Sequence, residues 1–453
     1  MREAYSLTEG PIASTLLKLT LPIIATNFIS TTYGLIDMIW VGRLGSGPVA
    51  AIGTASFFIN LALALSTMIT IGTGIKVAHS VGEGEESRAL IYIKNGFIMS
   101  LLLSILYTIV ILFTKNKLIG FFELANEEIE WMAIQFLVIS LFGSIFTIIN
   151  TLFSTILNSY GNSKQPFKIF TLGFLVNMLI DPLLIFGLGP IPGMGVLGAA
   201  IATLIANLVV TGLFILRTKN TSLFSLRKKS DIQLMKEVIK LGAPITIQRV
   251  TFIIISIIIA KLIVQWGAEA IAVQKVGIQI EAISYMTIGG LQGAIAAFFG
   301  QNYGARRLDR IHRGYYQALL LTVIFGALIS VIFILFPGQL FSLFLSEASS
   351  LALGTDYMRI IGYSQLFMCL EIMSVGAFNG IGKTHVPPMF SITLTALRIP
   401  MALALSGPFG LNGIWMSIAL SSVLKGVILS GWFIGSLRKL DRTAAVSSNH
   451  AAM

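Results

Sequence analysis

The sequence predicts an all-α integral membrane protein with twelve transmembrane helices, arranged as two six-helix parallel-repeat lobes around a central cavity. Three observations lead to this fold class. Of the 453 residues, 55% are hydrophobic and only 11% are charged, whereas soluble domains carry about 25% charged residues. Apolar runs of roughly 20 residues, enough to cross a bilayer core of about 30 Å, recur along the whole chain. The second half also repeats short motifs of the first half in the same order.

The apolar runs set the expected spans and domain boundaries. They lie near residues 15–40, 48–76, 90–113, 131–156, 167–188, 195–216, 240–265, 272–299, 314–336, 357–378, 386–406 and 411–436. No stretch outside them is long enough for a soluble domain, and the first run is too long for a cleavable signal peptide. We therefore expect four segments: an N-terminal lobe (1–216), a cytoplasmic linker helix (217–239), a C-terminal lobe (240–440) and a cytoplasmic tail (441–453).

Basic residues are concentrated in alternate loops, and this distribution predicts the topology. The net charge is +11, and most Lys and Arg residues fall in the N-terminus, the even-to-odd loops and the C-terminus. By the positive-inside rule both termini are cytoplasmic in the cell inner membrane. The basic runs Arg227–Lys229 and Arg306–Arg307 are then topology signals that face anionic membrane lipid. This placement argues against a nucleic-acid partner.

Internal repeats relate the two halves. Asn, Gly and Pro recur in register between NSYGNSKQP (Asn158–Pro166) and NGIGKTHVP (Asn379–Pro387), and Pro22 of KLTLPI matches Pro244 of KLGAPI. An even number of spans in each half keeps the same orientation, so the repeats are parallel and related by an axis along the membrane normal.

The segment that joins the halves predicts a short interfacial helix leading into span 7. Ser230 and Asp231 can cap this helix at its N-terminus. Its apolar side chains would share one face, formed by Ile232, Met235, Val238 and Ile239.

Two carboxylates interrupt apolar runs, where a charge is expensive. Asp37 lies within the first run and Asp181 within the fifth. A charge near the bilayer centre costs on the order of 3 kcal/mol, so such residues usually face a cavity and serve ion or substrate movement. The alternative is that both acids are neutral and hydrogen-bond neighbouring helices, although such bonds average only about 0.6 kcal/mol. The pair favours the functional interpretation.

Amide and hydroxyl groups accompany these acids. Asn177 lies one helical turn before Asp181, and Pro182 frees a backbone carbonyl that a neighbour or ligand must satisfy. The helix face of Asp37 also carries Asn27, Ser30, Tyr33 and Gly34. Carboxylate and carboxamide oxygens are hard donors suited to H⁺ or Na⁺. Asp37, Asn177 and Asp181 therefore form a candidate coupling-ion site.

The second half has different charges. The repeat aligns Asn177 with Arg398, and no acid stands where the first half has Asp37 and Asp181. The second half instead carries Lys261, Glu281, Glu371 and Arg398 within its spans. These residues form either neutral structural bridges or a second ion or substrate site.

Signals for an enzyme, a metal or a disulfide are weak. Cys369 is the only cysteine, and the four histidines fall in loops or the tail, so neither a disulfide nor a metal site is expected. The run Gly380–Thr384 resembles a phosphate-binding loop, but Ala377 stands where that pattern needs glycine. With no nucleophile beside a base, we expect no enzyme and no cofactor beyond H⁺ or Na⁺.

Four motifs together resemble the multidrug and toxic compound extrusion (MATE) transporters. They are P-x14-D from Pro22 to Asp37, the N-x2-G-x4-P loop of both halves, N-x3-D-P from Asn177 to Pro182, and LRIP in span 11. The first-half acids resemble most the DinF-like branch. The norfloxacin-exporter-like branch has acids on spans 7, 8 and 10, and span 7 here carries Lys261.

The resemblance implies a monomeric secondary antiporter that exports amphipathic, often cationic, small molecules in exchange for H⁺. It also implies that Asp37, Asn177 and Asp181 carry the coupling ion and that Pro22 is a hinge in the first span. Na⁺ coupling is one alternative, and a lipid-linked oligosaccharide flippase of the same superfamily is another. A flippase would need midspan cations in the first half, where acids stand.

The substrate cavity is expected in the first lobe, where aromatic and Met side chains would give adaptable apolar contacts. Helix packing is the alternative role for each candidate. The candidates are Asn27, Tyr33, Phe57, Asn60, Asn150, Phe174 and Met178.

Overall fold

The computed structural model describes residues 6–124, 126–219, 229–344 and 347–451. Fourteen α-helices and one hairpin of two short strands make up the regular secondary structure of these ranges. In chain order they are α1 (Ile12–Gly42), α2 (Ser46–Gly82), α3 (Glu86–Gly120), α4 (Glu127–Ser159), α5 (Lys164–Phe186), β1 (Gly187–Leu188), β2 (Ile191–Pro192), α6 (Gly195–Thr218), α7 (Ile232–Val264), α8 (Ala268–Gly304), α9 (Leu308–Leu335), α10 (Pro337–Ser342), α11 (Ala348–Gly380), α12 (Val386–Ala396), α13 (Arg398–Phe409) and α14 (Leu411–Ala451).

The predicted all-helical transmembrane fold is confirmed. Twelve helical segments of the described chain are long and apolar enough to cross a membrane, one for each predicted run. Helices satisfy every backbone hydrogen bond within the segment, which a lipid environment requires. The eleventh span consists of α12 and α13, which meet at Leu397.

Polar residues at the helix ends extend the helices past the apolar runs. At the start of α4, the Asn126 side chain accepts a hydrogen bond from the Ile129 backbone N–H at 2.9 Å. Glu127, Glu128 and Glu130 fill the first turn, where the helix dipole favours negative charge. The helix therefore begins four residues before the apolar run predicts.

The helices form two compact units that are not contiguous in sequence. Ala25–Ala243 belongs to the first unit, whereas Leu7–Ile24 belongs to the second unit together with the chain from Pro244 onward. The changes of unit fall inside α1, just after Pro22, and inside α7, at Pro244. The units thus differ from the predicted contiguous lobes, because the first turns of each of these helices pack in the other unit.

The start of α7 is anchored in the first unit by close packing. Val238 is fully buried, and a Cβ at Gly72 would lie 2.2 Å from the Val238 carbonyl oxygen. One turn on, a Cβ at Gly242 would lie 1.8 Å from the carbonyl oxygen of Met68. Only glycine allows backbones to approach this closely.

Polar contacts reinforce this anchor. Glu237 accepts a hydrogen bond from the Tyr92 hydroxyl at 2.6 Å and pairs with the Lys76 ammonium at 2.5 Å. The Asn95 amide donates to the backbone carbonyl of Asp231 at 2.9 Å. We call Lys76, Tyr92 and Glu237 the α7 anchor.

The helix that follows Asp231 leads into span 7, as expected, and it does so without a break. The Asp231 carboxylate accepts from the Gln233 backbone N–H at 2.8 Å, as expected for a helix start. Of the predicted apolar face, Val238 is buried and Met235 packs against the core, whereas Ile232 and Ile239 are exposed. Residues 220–228 of the predicted linker lie outside the described residues.

The segment just before α1 is anchored in the second unit by hydrogen bonds from side chains to its backbone carbonyl groups. The Arg310 guanidinium donates to the carbonyl oxygens of Glu9 and Gly10, each at 2.9 Å, and of Leu7 at 3.3 Å. The Asn302 amide also donates to the Leu7 carbonyl, at 3.0 Å. Leu7 is fully buried in the core of this unit.

Candidate functional site

The three predicted coupling-ion residues come together in the first unit. Asp37 lies on α1, and Asn177 and Asp181 lie on one face of α5. The Asn177 amide donates to one carboxylate oxygen of Asp181 at 3.0 Å, and both side chains are fully buried. Asp37 lies close enough to Asp181 for the two carboxyl groups to interact electrostatically. Two carboxyl groups can hydrogen-bond to each other only when a proton lies between them.

Thr203 on α6 completes the site and had no signal in the sequence. Its hydroxyl donates to the Asp37 carboxylate at 3.3 Å. A threonine in an apolar helix usually bonds its own backbone, as Thr171 does with Phe167. We call Asp37, Asn177, Asp181 and Thr203 the acidic cluster.

Several oxygens of the acidic cluster have no hydrogen-bond partner among the described residues. They are Oδ1 of Asp37, Oδ2 of Asp181 and Oδ1 of Asn177, all buried. The ion pairs found in the described chain involve other residues, so neither carboxylate is neutralised by a cation. Burying unpaired polar oxygens is costly, so the site has free coordination capacity for a proton or a small cation.

Two aromatic side chains lie beside the acidic cluster. Tyr33 lies one helical turn before Asp37 on α1, and its hydroxyl makes no hydrogen bond to the described chain. The rings of Tyr33 and Phe174 are 6.4 Å apart at a tilt of 48°. An aromatic surface thus borders the acids.

The other predicted substrate residues divide into two groups. Met178 and Phe57 are exposed by 43% and 63%, and the Phe57 ring stacks on Phe122 at 5.8 Å. Asn60 is also exposed, and Asn27 is half-buried.

Asn150 has the contacts of a packing residue. It is fully buried. Its amide donates to the backbone carbonyl of Asn207 at 3.1 Å, and its oxygen accepts from the Thr211 hydroxyl at 2.8 Å. Both of its polar groups are therefore used to join α4 to α6.

The predicted hinge residue Pro22 lies inside α1, two residues before the chain passes from the second unit to the first. Proline removes one backbone hydrogen bond and weakens the helix at that point.

The four predicted second-half residues do not form one site. Lys261 is exposed on α7. Glu371 forms a buried ion pair with Lys425 at 2.9 Å and accepts from the Ser391 hydroxyl at 3.0 Å. Glu281 and Arg398 line a single cavity of 330 Å³ in the second unit. Lys425 lies within the apolar run 411–436, and nothing in the sequence indicates its partner.

Comparison with known proteins identifies the family. The MatE family model matches residues 22–183 and 244–404. The two matches begin at Pro22 and Pro244, the prolines that the internal repeat aligns. The chain belongs to the MatE family.

Relatives and solved structures support the same conclusion. The chain is 26% identical to a probable multidrug resistance protein NorM of Thermotoga maritima, covering 93% of this chain and 92% of that protein. It is 25% identical to an FAD transporter of Shewanella oneidensis over 94% and 95% of the two chains. A crystal structure of a MATE protein in the bent conformation superposes with a TM-score of 0.90 at 23% identity, over 97% and 98%.

Family membership establishes the class of function. The protein is a multi-pass membrane transporter, and the predicted absence of enzymatic function agrees with the family. The resemblance to MATE transporters is confirmed, whereas the DinF-like branch stays a prediction.

Proposed function

We propose that this transporter exports amphipathic, often cationic, small molecules in exchange for protons that bind the acidic cluster. The observation that carries the proposal is the acidic cluster itself: Asp181 is fully buried and Asp37 is half-buried, and neither acid forms an ion pair in the described chain. Two adjacent carboxylates cannot both be ionised in an apolar setting without a large energetic penalty. A proton held between them relieves the repulsion, and its release restores a negative site.

Protonation links the ion to the substrate through charge and helix shape. The deprotonated cluster attracts a cationic substrate to the aromatic surface of Tyr33 and Phe174. A proton that binds the cluster removes that attraction. The helix α1 then bends at Pro22, which reduces the space for substrate beside Tyr33 and Phe174. Crystal structures of MATE proteins in a bent and in a straight conformation are among the structures that this chain resembles, and a hinge at Pro22 would allow such a change.

The substrate surface consists of the exposed or half-buried members of the predicted set. These are Asn27, Tyr33, Phe57, Asn60, Phe174 and Met178. Flexible Met and aromatic side chains accommodate varied ligands. The transporter acts as a monomer in the cell inner membrane with both termini cytoplasmic, as the loop charges indicate, and it needs no cofactor beyond the coupling ion.

The test is transport in proteoliposomes with one imposed gradient at a time. Ethidium movement is followed under a pH gradient or a Na⁺ gradient, with wild type and Asp37→Asn. We expect a pH gradient alone to drive transport in wild type, and the variant to lose the driven component. Driven export by Asp37→Asn against a gradient contradicts the proposal.

Other outcomes identify the alternatives. Transport driven by Na⁺ alone would replace the proton with Na⁺, which the free oxygens of Asp37, Asn177 and Asp181 can also coordinate. No drug movement under either gradient would favour another substrate, such as a lipid-linked oligosaccharide. One relative carries FAD rather than a drug by its name, so an anionic dinucleotide belongs in the substrate panel.

A further inference from the structure

The second unit contains a partly open site that the proton-coupling scheme does not use. Its cavity has a volume of 330 Å³, within the range of small-molecule pockets. The walls come from α7, α8, α11, α13 and α14, and they are mostly apolar, with Phe252, Ile259 and Met368 among them. Two charged side chains, Glu281 and Arg398, project from these walls.

Arg398 is held in a fixed orientation with part of its guanidinium unused. It is only 7% exposed. Nε donates to the Ser421 hydroxyl at 3.0 Å and Nη2 to the Ser422 hydroxyl at 3.2 Å, while the Phe252 ring lies 5.8 Å from Cζ. These partners are all neutral. In the described chain Arg398 forms no ion pair, although such a pair is what a buried cation ordinarily has.

Glu281 is also held in place without an ion pair to any described residue. It is 8% exposed, and it accepts hydrogen bonds from the Tyr357 hydroxyl and, at 3.3 Å, from the Gln365 amide. Glu371, the other buried acid nearby, is already paired with Lys425. The cavity therefore presents one positive and one negative group, which interact electrostatically but form no ion pair with each other.

We propose that this cavity binds an amphipathic zwitterion. The ligand carboxylate would pair with the free edge of the Arg398 guanidinium, whose planar fork suits a carboxylate. The ligand ammonium would pair with Glu281, and the apolar walls would cover the rest of the molecule. A ligand with both charges satisfies both groups, whereas a purely cationic ligand leaves Arg398 buried and unpaired.

Three fluorescent probes of similar size test the proposal. Nα-dansyl-lysine carries both charges, Nα-dansyl-norleucine carries only the carboxylate, and dansylcadaverine carries only the ammonium. Binding to the purified full-length protein is measured by fluorescence titration at equilibrium. No gradient is imposed, so the result is independent of proton coupling. We expect dansyl-lysine to bind about tenfold more tightly than either single-charge probe, as a charged hydrogen-bonded pair contributes.

Variants assign the selectivity to the two charged groups. Arg398→Met is expected to abolish the preference for dansyl-lysine over dansylcadaverine, and Glu281→Gln its preference over dansyl-norleucine. Lys261→Met removes an exposed cation of the same unit and should leave all three affinities unchanged. Ile418→Phe narrows the cavity while keeping both charges, and it should weaken dansyl-lysine binding. This variant keeps the proposal testable if Arg398→Met does not fold.

Equal binding of dansyl-lysine and dansylcadaverine to the wild-type protein would overturn the proposal. Unchanged dansyl-lysine affinity in correctly folded Arg398→Met and Ile418→Phe would overturn it as well. Folding of each variant is checked by size-exclusion chromatography and thermal unfolding.

Discussion

The Asn177 amide holds one carboxylate oxygen of Asp181 at 3.0 Å and leaves the other buried without a partner. The two residues are one turn apart on α5, so the helix itself fixes this geometry. The free oxygen belongs to the acid that interacts electrostatically with Asp37. One oxygen of Asp181 is thus fixed by Asn177, and the other is available to bind an ion, as expected of a site that must bind and release an ion.

Removing the Asn177 amide, which orients Asp181, should impair the coupling of transport to the proton gradient. Asn177→Ala loses the hydrogen bond to Asp181, and hydrogen bonds to charged groups contribute about 1.5–3 kcal/mol. We expect proton-driven ethidium transport in proteoliposomes to fall roughly tenfold or more. Thr171→Ala, on the same helix, removes only a bond to its own backbone and should transport normally. Equal rates for the two variants would contradict the assigned role of Asn177.

Tyr33 and Asn150 should respond differently to truncation. Tyr33→Ala removes an aromatic ring beside the acids, so the substrate profile is expected to change while stability changes little. Asn150→Ala breaks the contacts with Asn207 and Thr211, so the apparent melting temperature should fall while the profile stays the same. Drug-resistance panels in cells and thermal unfolding in detergent measure the two effects. A changed profile in Asn150→Ala would return this residue to the substrate surface.

Close packing at the start of α7 should tolerate no side chain at Gly242. Gly242→Ala places a Cβ 1.8 Å from the Met68 carbonyl oxygen, and overpacking of this kind costs about 1–3 kcal/mol. The matched control is Gly212→Ala on α6, where nothing lies within 4 Å. There the alanine should keep or slightly raise the melting temperature, since alanine is the better helix former.

The α7 anchor should contribute modestly to stability. Glu237→Gln weakens the contacts with Lys76 and Tyr92, and partly exposed pairs contribute about 1 kcal/mol or less. We expect a small decrease in the melting temperature. The neighbouring Lys236 is exposed, and Lys236→Gln should cause no change.

The buried ion pair of the second unit should be sensitive to removal of one partner. Lys425→Met leaves Glu371 buried with an uncompensated charge, which costs about 3–5 kcal/mol. The double variant Lys425→Met with Glu371→Gln removes both charges and should recover much of the lost stability. Expression level and thermal unfolding measure the difference, and Lys261→Met serves as the exposed control. No recovery in the double variant would mean that the pair matters for more than charge balance.

The transmembrane helices and the acids within them could be predicted from the sequence because both depend on local composition. Each apolar run became a helix, and Asp37, Asn177 and Asp181 came together as their positions within apolar runs indicated. The internal repeat was readable as well, and the family matches begin at its two aligned prolines.

Features that depend on contacts between distant helices were not readable. Thr203 is one of many threonines in apolar helices, and only the packing of α6 brings it to Asp37. Asn150 is a polar residue in an apolar run, as a cavity residue would be, but its amide and its oxygen are both hydrogen-bonded to residues of α6. The close packing of Gly72 against Val238 at the start of α7 is likewise a contact between distant helices, and no local sequence pattern indicates it.

The exchange of helix starts between the units constrains the order of biosynthesis. Domains of growing chains generally fold as their residues emerge. Residues 7–24 are made before most of the first unit, yet they belong to the unit whose other residues begin at Pro244. This leading segment must therefore wait, while most of the chain is synthesised, for the surface that Asn302 and Arg310 provide. The first unit in turn stays incomplete until residue 243 has been added. Neither unit can therefore complete its assembly from one contiguous half of the sequence.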